Sequence, residues 1–266
     1  MFRYTKAVCR KIPKSIVSGG LRMQKEKKAL DHNLALKQQQ SYINALTSLG
    51  VKVTVLEADE ATPDCVFVED TAVVVGETVV ITNSSMPTRK LEIIPIKEHF
   101  AKYEKNKKII QMESPAQLDG GDVIFTGHEF FVGQSKRTNE YGLETLQKAF
   151  PQYPVHGIKV THTLHLKTIM SVVEEDMLTC GTEPHVSDAL EEVLTKATRK
   201  YSVLRVPDEA AGNVVLVNGA ILCRSQQDYP DSYREFEKLA IKKIDLDGTE
   251  LEKVDGSFTC CSLLYN

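Results

Sequence analysis

The stretch CVFVEDTAVVVGETVVIT, residues 65–82, decides the fold. Within it, two β-rich runs flank a Gly-Glu pair, which is the pattern of a β-hairpin. Apolar residues then recur at helical spacing over residues 96–103, and the β-rich run KIIQME follows at residues 108–113. This part of the chain therefore predicts one strand–strand–helix–strand unit.

The same unit recurs on both sides of this stretch. Upstream, residues 31–49 predict a helix that Asp31 can cap and Gly50 can end, and a β-rich run follows. Downstream, three further hairpin patterns each precede an amphipathic helix and another β-rich run. These hairpins cover residues 122–133, 169–181 and 213–223.

Four hairpins serve five helices, and the two ends of the chain can supply the missing one. Residues 4–12 and 257–265 are both strand-like. If the last strand completes the first unit, the repeat closes into a ring, so we predict an α/β fold: a pseudo-fivefold α/β propeller of five ββαβ units. A dinucleotide-binding fold would need a GxGxxG turn, which the sequence lacks. No linker divides residues 1–266, so we expect a single domain.

Composition narrows the range of partners. The chain has 33 Lys plus Arg against 36 Asp plus Glu, a formal charge of −3. A nucleic-acid or membrane-surface binder would carry a basic excess, and no apolar run approaches the roughly 18 residues that span a bilayer. The six cysteines form no CxxC pair and are expected to be thiols. We expect a cytoplasmic protein, monomeric or homodimeric, without nucleic-acid or membrane partners.

One polar or reactive residue recurs between the last strand of each unit and the next hairpin. In a ring of repeats, equivalent positions meet around the central axis, so we expect these side chains to face one small space. Their separations are 49, 46, 48 and 47 residues. The five residues are Asp70, Asp119, His165, Asn213 and Cys260.

This set suits attack on a guanidinium group. Two carboxylates accept the N–H donors of a planar guanidinium in parallel pairs, which neutralises and orients the cation. Cys260 can attack the central carbon, and either the His165 imidazolium or the bound cation would lower the pKa of its thiol. His165 could then protonate the leaving amine and later take a proton from water. We therefore predict hydrolysis through a covalent S-alkylthiouronium intermediate.

Ordinary structural roles stay open for each of these residues. A lone cysteine in a strand is usually a core residue. Because neighbouring strand residues face opposite sides, only one of Cys260 and Cys261 can face the axis, and we expect Cys261 to be the core residue. His165, which lies between leucines, could be a hydrogen-bonded structural residue, and Asp119 could simply form a turn.

Five segments resemble the dimethylarginine dimethylaminohydrolases, members of the guanidino-modifying (pentein) superfamily. The resemblance implies the five-unit propeller and an enzyme that converts Nω,Nω-dimethyl-L-arginine or Nω-monomethyl-L-arginine to L-citrulline plus dimethylamine or methylamine. It implies no cofactor, and a role in regulating nitric oxide synthesis by removing inhibitory methylarginines. The segments are PDCVFVED (63–70), LDGGDVIFTG (118–127), FFVGQSKRTN (130–139), LHLK (164–167) and LEKVDGSFTCCS (251–262).

The resemblance also implies roles for single residues in the reaction. Cys260 matches the family's nucleophile and His165 its general acid and base. Acidic residues around the guanidine group match Glu69, Asp70 and Asp119. No metal is required, although zinc bound between Cys260 and His165 could inhibit the enzyme.

Further matches concern substrate binding. Two arginines resemble the anchors of the α-carboxylate, one aspartate resembles the acceptor for the α-ammonium group, and two apolar residues match backbone contacts with substrate. One of these apolar residues lies in a loop over residues 17–30 that we expect to be a mobile lid. In this order, the residues are Arg89, Arg137, Asp64, Leu21 and Val254.

Three alternatives stay open beside this function. An arginine deiminase of the same fold would typically carry His-x-Asp where this chain has His165-Leu166-Lys167, so one clamp on a free guanidine nitrogen is missing. An amidinotransferase would resolve the covalent intermediate with an amine instead of water. A non-catalytic binding protein of this fold would be expected to have lost a reactive residue, whereas this chain keeps all of them.

Overall fold

The computed structural model describes residues 2–23 and 29–266, and this part of the chain forms fifteen strands in five three-stranded sheets. Residues 24–28 of the loop expected to be a lid lie outside the described residues. The strands are β1 Lys6–Arg10, β2 Lys52–Leu56, β3 Ala72–Val75, β4 Thr78–Ile81, β5 Lys108–Gln111, β6 Val123–Phe125, β7 Phe130–Gln134, β8 Val155–Lys159, β9 Met170–Glu174, β10 Met177–Cys180, β11 Ser202–Arg205, β12 Val215–Val217, β13 Ala220–Arg224, β14 Lys242–Leu246 and β15 Leu263–Tyr265.

Each sheet has the same topology. A hairpin supplies two antiparallel strands, and the third strand pairs in parallel with the second strand of the hairpin. Four sheets follow the chain directly, in the orders β3-β4-β5, β6-β7-β8, β9-β10-β11 and β12-β13-β14. The predicted repeat of strand, strand, helix and strand is confirmed.

The fifth sheet joins the two ends of the chain. β15 pairs antiparallel with β1, placing Leu264 opposite Ala7, and β1 pairs in parallel with β2, placing Ala7 opposite Val53. The hydroxyl of Tyr265 hydrogen-bonds to the Glu104 carboxylate and to the His99 ring. The ends therefore complete the first unit, and the pseudo-fivefold propeller is confirmed.

Eight α-helices accompany these strands in the part of the chain that the structure describes. In the described chain they are α1 Ile16–Gly19, α2 His32–Ser48, α3 Ile93–Tyr103, α4 Glu140–Ala149, α5 Leu166–Ile169, α6 Pro184–Lys196, α7 Pro230–Glu237 and α8 Thr249–Glu252. The Asp31 side chain caps α2 by accepting hydrogen bonds from the backbone N–H groups of Asn33 and Leu34, as predicted. The four-residue helices α1, α5 and α8 were not predicted, because a single turn is too short to show helical periodicity.

The first strand of each hairpin, together with β15, faces the central axis. These strands line an axial cavity of about 180 Å³, whose apolar lining residues include Val73, Val123, Val172 and Leu216. A short helical turn precedes each of these strands, and neighbouring turns contact one another. The turns therefore bring residues that are distant in sequence to one end of the axis.

None of the helices in residues 2–23 and 29–266 is long and apolar enough to cross a bilayer.

Candidate active site

A small cavity lies among the turns at one end of the axis. It holds about 20 Å³, roughly the room needed by one water molecule. Eight of the ten predicted site residues line it, whereas Asp119 and Glu69 do not. The lining residues are Leu21, Asp64, Phe67, Asp70, Arg89, Arg137, Leu164, His165, Val254, Asp255 and Cys260.

The His165 ring lies between two carboxylates. Its Nε2 atom is 3.3 Å from Oδ2 of Asp119, and its Nδ1 atom is 3.9 Å from Oδ1 of Asp70. Gly121 makes this approach possible, because a Cβ atom there would lie 2.5 Å from Nδ1 of His165. The backbone N–H of Gly121 also donates to Asp70 Oδ1 at 2.9 Å. The DGGD segment therefore brings the imidazole against the carboxylates, as well as forming a turn.

This environment sets the charge of His165. Burial alone would lower its pKa, but Asp70, Asp122 and Asp119 act more strongly together and raise the pKa to about 9. The side chain is 3% exposed. His165 is therefore an imidazolium at neutral pH, which is the form a general acid needs.

Asp122 supports this arrangement, and the sequence analysis did not single it out. Its carboxylate accepts hydrogen bonds from the Leu166 backbone N–H at 3.0 Å and from the hydroxyls of Thr138 and Ser135 at 2.7 and 2.5 Å. Burial raises its pKa to about 6. Asp122 thus holds the residue that follows His165. The sequence shows it only as the last letter of DGGD, which is an ordinary turn pattern.

Arg89 is buried and committed to partners on several sides. It is paired with Asp70 and Glu92, and its Nη2 also donates to the Phe67 carbonyl oxygen at 3.2 Å. Burial would raise the pKa of Asp70, but the His165 imidazolium and Arg89 together lower it to about 2. Asp70 is therefore ionised at the cavity wall.

Arg137 has unused hydrogen-bonding capacity. Its Nη1 atom is buried and lies 3.8 Å from Oδ2 of Asp119, yet it makes no hydrogen bond within the described chain. Oδ1 of Asp119 likewise has no partner there. Because leaving a buried donor unpaired is costly, Arg137, which lines the cavity, is suited to a ligand that supplies a hydrogen-bond acceptor.

The chain before residue 24 is anchored over the cavity. The backbone N–H of Leu21 donates to Asp64 Oδ1 at 3.0 Å, and that of Met23 donates to Asp255 Oδ2 at 2.5 Å. Burial raises the pKa of Asp64. Leu21 therefore contacts a predicted binding residue through its backbone.

The two adjacent cysteines occupy different environments. Cys260 lines the cavity, whereas Cys261 is buried in the hydrophobic core, with Sγ 3.5 Å from the Ser257 carbonyl oxygen. Burial, followed by the negative charges of Glu69 and Asp70, raises the pKa of the Cys260 thiol well above its usual value. The His165 imidazolium alone therefore does not lower this pKa, which leaves the bound cation as the other expected source.

Glu69 lines the axial cavity instead of the active-site cavity. Its carboxylate accepts hydrogen bonds from Lys167 Nζ at 2.6 Å and from the Thr259 hydroxyl at 2.9 Å, and all three residues line the axial cavity. Burial raises the pKa of Glu69. It is thus adjacent to Asp70 in sequence but is engaged in a separate polar cluster.

One group of side chains in the described chain has the spacing of a metal site. The ligand atoms of Asp70, Asp119 and His165 lie within 4.8 Å of one another. Cys260, which was expected to share an inhibitory zinc with His165, is outside this group. Each carboxylate is paired with His165, which accounts for the proximity of the three, and zinc inhibition stays a prediction.

The carboxylates around His165 lead to a prediction about its titration. We expect its NMR signals to titrate near pH 9, and at lower pH in the variant Asp119→Asn, because a hydrogen-bonded negative charge is lost. Unfolded histidine has a pKa of about 6.5. The imidazolium therefore stabilises the fold fully below that pH, and this contribution is lost as the pH rises through about 9.

The control for this titration is Glu129→Gln, which removes the carboxylate 2.9 Å from the ring of another histidine, His156. This variant should leave the titration of His165 unchanged. An unchanged His165 titration in Asp119→Asn would contradict the proposed electrostatic coupling.

Comparison with known proteins identifies relatives of the whole chain. Residues 21–263 match the model of the family described as N,N dimethylarginine dimethylhydrolase, eukaryotic. The dimethylarginine dimethylaminohydrolase of Streptomyces coelicolor is 31% identical over 97% of this chain and 96% of its own length. The corresponding enzyme of Pseudomonas aeruginosa is 28% identical over 88% of this chain and 90% of its own.

Solved structures show the same relationship. A cysteine-to-serine variant of the Pseudomonas aeruginosa enzyme, complexed with citrulline, superposes with a TM-score of 0.87 at 26% identity, covering 99% of this chain and 100% of that one. A histidine-to-glycine variant of a dimethylarginine dimethylaminohydrolase, solved as an adduct with S-methyl-L-thiocitrulline, has a TM-score of 0.86 at 26% identity. This second comparison covers 98% of this chain and 100% of the other.

Proposed function

Because this chain belongs to the dimethylarginine dimethylaminohydrolase family, we propose that it hydrolyses Nω,Nω-dimethyl-L-arginine and Nω-monomethyl-L-arginine to L-citrulline plus dimethylamine or methylamine. The observation that carries the proposal is that Cys260, His165 and Asp70 line one small cavity. A nucleophile, a proton donor and a carboxylate for the cation are thereby brought together. Removal of methylarginines that inhibit nitric oxide synthesis would be the physiological consequence.

Binding of the cation accounts for activation of the nucleophile. The free protein holds Cys260 as a thiol, because burial and the nearby carboxylates disfavour a further negative charge. A guanidinium placed against Asp70 offsets this negative charge and stabilises the thiolate beside it. Substrate binding therefore generates the reactive form of the enzyme.

The reaction proceeds in two halves. The Cys260 thiolate attacks the central carbon of the guanidinium, and the bond from this carbon to the methylated nitrogen breaks as His165 donates a proton to the departing amine. The remaining S-alkylthiouronium is attacked by water, whose proton returns to the now neutral His165. The C–S bond then breaks, giving citrulline and restoring the thiolate.

Other residues that line the cavity can hold the amino-acid end of the substrate. The spare N–H donors of Arg137 suit the α-carboxylate, and Asp64 is suited to accept from the α-ammonium group. Arg89 lines the same cavity, but its pairing with Asp70 and Glu92 gives it mainly the task of holding Asp70. Leu21 and Val254 complete the lining at the lid and beside the nucleophile.

The size of the cavity requires an opening step. The space of about 20 Å³ cannot hold an arginine derivative. We propose that the loop over residues 17–30 acts as a lid, releasing the Leu21–Asp64 hydrogen bond to admit substrate and closing to exclude bulk water. Exclusion of water matters because it would otherwise compete to solvate the thiolate.

A direct assay tests this function. Purified protein, without added metal or cofactor, should hydrolyse both methylated arginines to citrulline faster than it hydrolyses arginine or agmatine. Lys167, at the position of the deiminase aspartate, is paired with Glu69 and does not line the cavity, so a clamp for an unmethylated guanidine nitrogen is absent there. Faster turnover of plain arginine would favour the deiminase alternative, and transfer to an added amine would favour the amidinotransferase.

Replacing Arg137 should separate binding from chemistry. Arg137→Ala is expected to raise KM by about 10- to 100-fold, the usual effect of losing a charged hydrogen-bond pair, with little change in kcat. Arg137→Lys should be intermediate, because an ammonium cannot form the parallel pair with a carboxylate. Steady-state kinetics measure both parameters, and the exposed neighbour Lys136→Ala is the control. A loss confined to kcat would instead place Arg137 at the reacting carbon.

A further inference from the structure

We propose that Asn213 is a positioning residue that fixes the nucleophile Cys260 and the general acid His165 relative to each other. This inference rests on the proposed function. Asn213 is one of the five residues that recur at the repeat spacing, but it does not line the active-site cavity. It is 1% exposed, so its amide must satisfy its hydrogen bonds within the protein. Where those hydrogen bonds go indicates what the residue does.

The Asn213 amide bridges the two reactive segments. Its Nδ2 donates to the Lys167 carbonyl oxygen at 2.7 Å and to the Thr259 hydroxyl at 3.0 Å. Its Oδ1 accepts from the Thr259 backbone N–H at 3.2 Å. Lys167 is two residues after His165, and Thr259 directly precedes Cys260. One side chain thus ties the turn that carries the acid to the turn that carries the nucleophile.

Asn213 is itself held in place from both sides along the chain. The Ser171 hydroxyl donates to the Gly212 carbonyl oxygen at 2.7 Å and accepts from the Val214 backbone N–H at 2.9 Å. Ser171 is 3% exposed and belongs to β9, the strand that follows α5. The amide therefore projects from a fixed backbone, which a positioning residue requires.

A second connection closes the network into a ring. Thr259 donates to Glu69, and Glu69 accepts from Nζ of Lys167. The ring Asn213–Thr259–Glu69–Lys167 lies next in sequence to Cys260 and Asp70 and close to His165, yet none of its members lines the substrate cavity. Removing the amide should therefore disturb the relative positions of sulfur and imidazole while leaving the contacts with the amino-acid end of the substrate intact.

The central test separates chemistry from binding. Asn213→Ala should lower kcat roughly 100-fold, the effect of a misplacement of about 1 Å, and change KM by less than about threefold. Asn213→Asp keeps the acceptor for Thr259 but loses both donated bonds, so its kcat should fall by a similar factor. Unchanged kcat in both variants would overturn the proposal.

The chain offers a matched control at Asn218. Its amide also makes three bonds, accepting from the Tyr4 backbone N–H at 2.7 Å and donating to the carbonyl oxygens of Tyr4 and Leu49 at 2.9 and 2.8 Å. Asn218→Asp likewise loses two donated hydrogen bonds. Asn218 lies at the β12–β13 turn and does not line the active-site cavity. It should lower thermal stability but keep wild-type kcat. An equal loss of kcat in this control would show that the effect of Asn213 is one of general stability, and would overturn the proposal.

A double-mutant cycle distinguishes positioning from other effects on rate. If Asn213 acts by fixing the relative positions of Cys260 and His165, Asn213→Ala should lower kcat by less than about threefold when His165 is already replaced by Ala. A full 100-fold loss in that background would contradict the proposal. If Asn213→Ala does not fold, Thr259→Val, which loses the bridging hydroxyl, and Thr259→Ser, which keeps it, give the same comparison, with a kcat loss expected only in the former.

Failure of this inference is distinguishable from failure of the proposed function. If the wild-type protein releases citrulline and Cys260→Ser does not, the function holds, and the Asn213 variants then test positioning alone. If the wild type releases none, the proposed function fails before any result with Asn213, and the positioning proposal falls with it.

Discussion

Cys260→Ser should lower kcat for asymmetric dimethylarginine by at least about 1000-fold, whereas Cys261→Ser should keep most of it. A serine hydroxyl has a far higher pKa than a thiol, so the bound guanidinium cannot ionise it to a useful extent. Cys261 faces the core rather than the cavity, and its replacement buries a hydroxyl without approaching the substrate. Citrulline release under saturating substrate measures the difference.

The second cysteine serves as the control because it is adjacent in sequence but opposite in orientation. Cys261→Ser is expected to be less stable than wild type by about 1–3 kcal/mol, the cost of burying a poorly paired hydroxyl, and this is checked by chemical denaturation. If Cys261→Ser lost turnover and Cys260→Ser retained it, the assignment of the nucleophile would be wrong.

Replacing His165 by Ala should lower kcat by about 100- to 10,000-fold, the usual contribution of a positioned acid and base. The imidazolium is lost as proton donor for the departing amine, and no other described residue has its place between Asp70 and Asp119. The control is His99→Ala, another buried histidine, whose ring hydrogen-bonds to Tyr265 away from the cavity. His99→Ala should affect stability without affecting kcat.

An analogue with a better leaving group separates the two halves of the reaction. From S-methyl-L-thiocitrulline, methanethiol departs with less need of an acid, so His165→Ala should still form the covalent adduct on Cys260. Without a base to activate water, this adduct should persist, and intact-protein mass spectrometry would detect it. Rapid turnover of the analogue without accumulation would show that His165 is not required in the second half.

The fold was accessible from sequence because its repeat is carried by local patterns. Each hairpin has its own turn residues, and α2 has a capping aspartate and a terminal glycine. The closure was inferred from a shortage of one hairpin, and β1 does pair with β15. The four-residue helices were missed because a single turn is too short to show a helical period in the sequence.

The candidate site was accessible in outline for a related reason. The repeat spacing alone indicated that Asp70, His165 and Cys260 would meet, and these three line one cavity. The spacing could not distinguish residues that face the cavity from those that lie behind it. Asp119 contacts His165 but does not line the cavity, and Asn213 hydrogen-bonds to Thr259, the residue before Cys260. The direction in which a side chain points from its turn decides such roles, and the spacing of residues in the sequence does not show that direction.

The sequence by itself determined the repeated unit, the closure of the ring and the chemical types gathered at its axis, because these follow from local propensity and regular spacing. Only the tertiary structure decided the protonation state and the function of each group. The charge of His165 depends on carboxylates contributed by other units, and Arg89 and Arg137, alike as letters, differ because one is saturated by Asp70 and Glu92 while the other keeps free donors. The physical reason is that pKa values and hydrogen-bond saturation are set by neighbours in space, and at this site most of those neighbours lie 19 to 190 residues away along the chain.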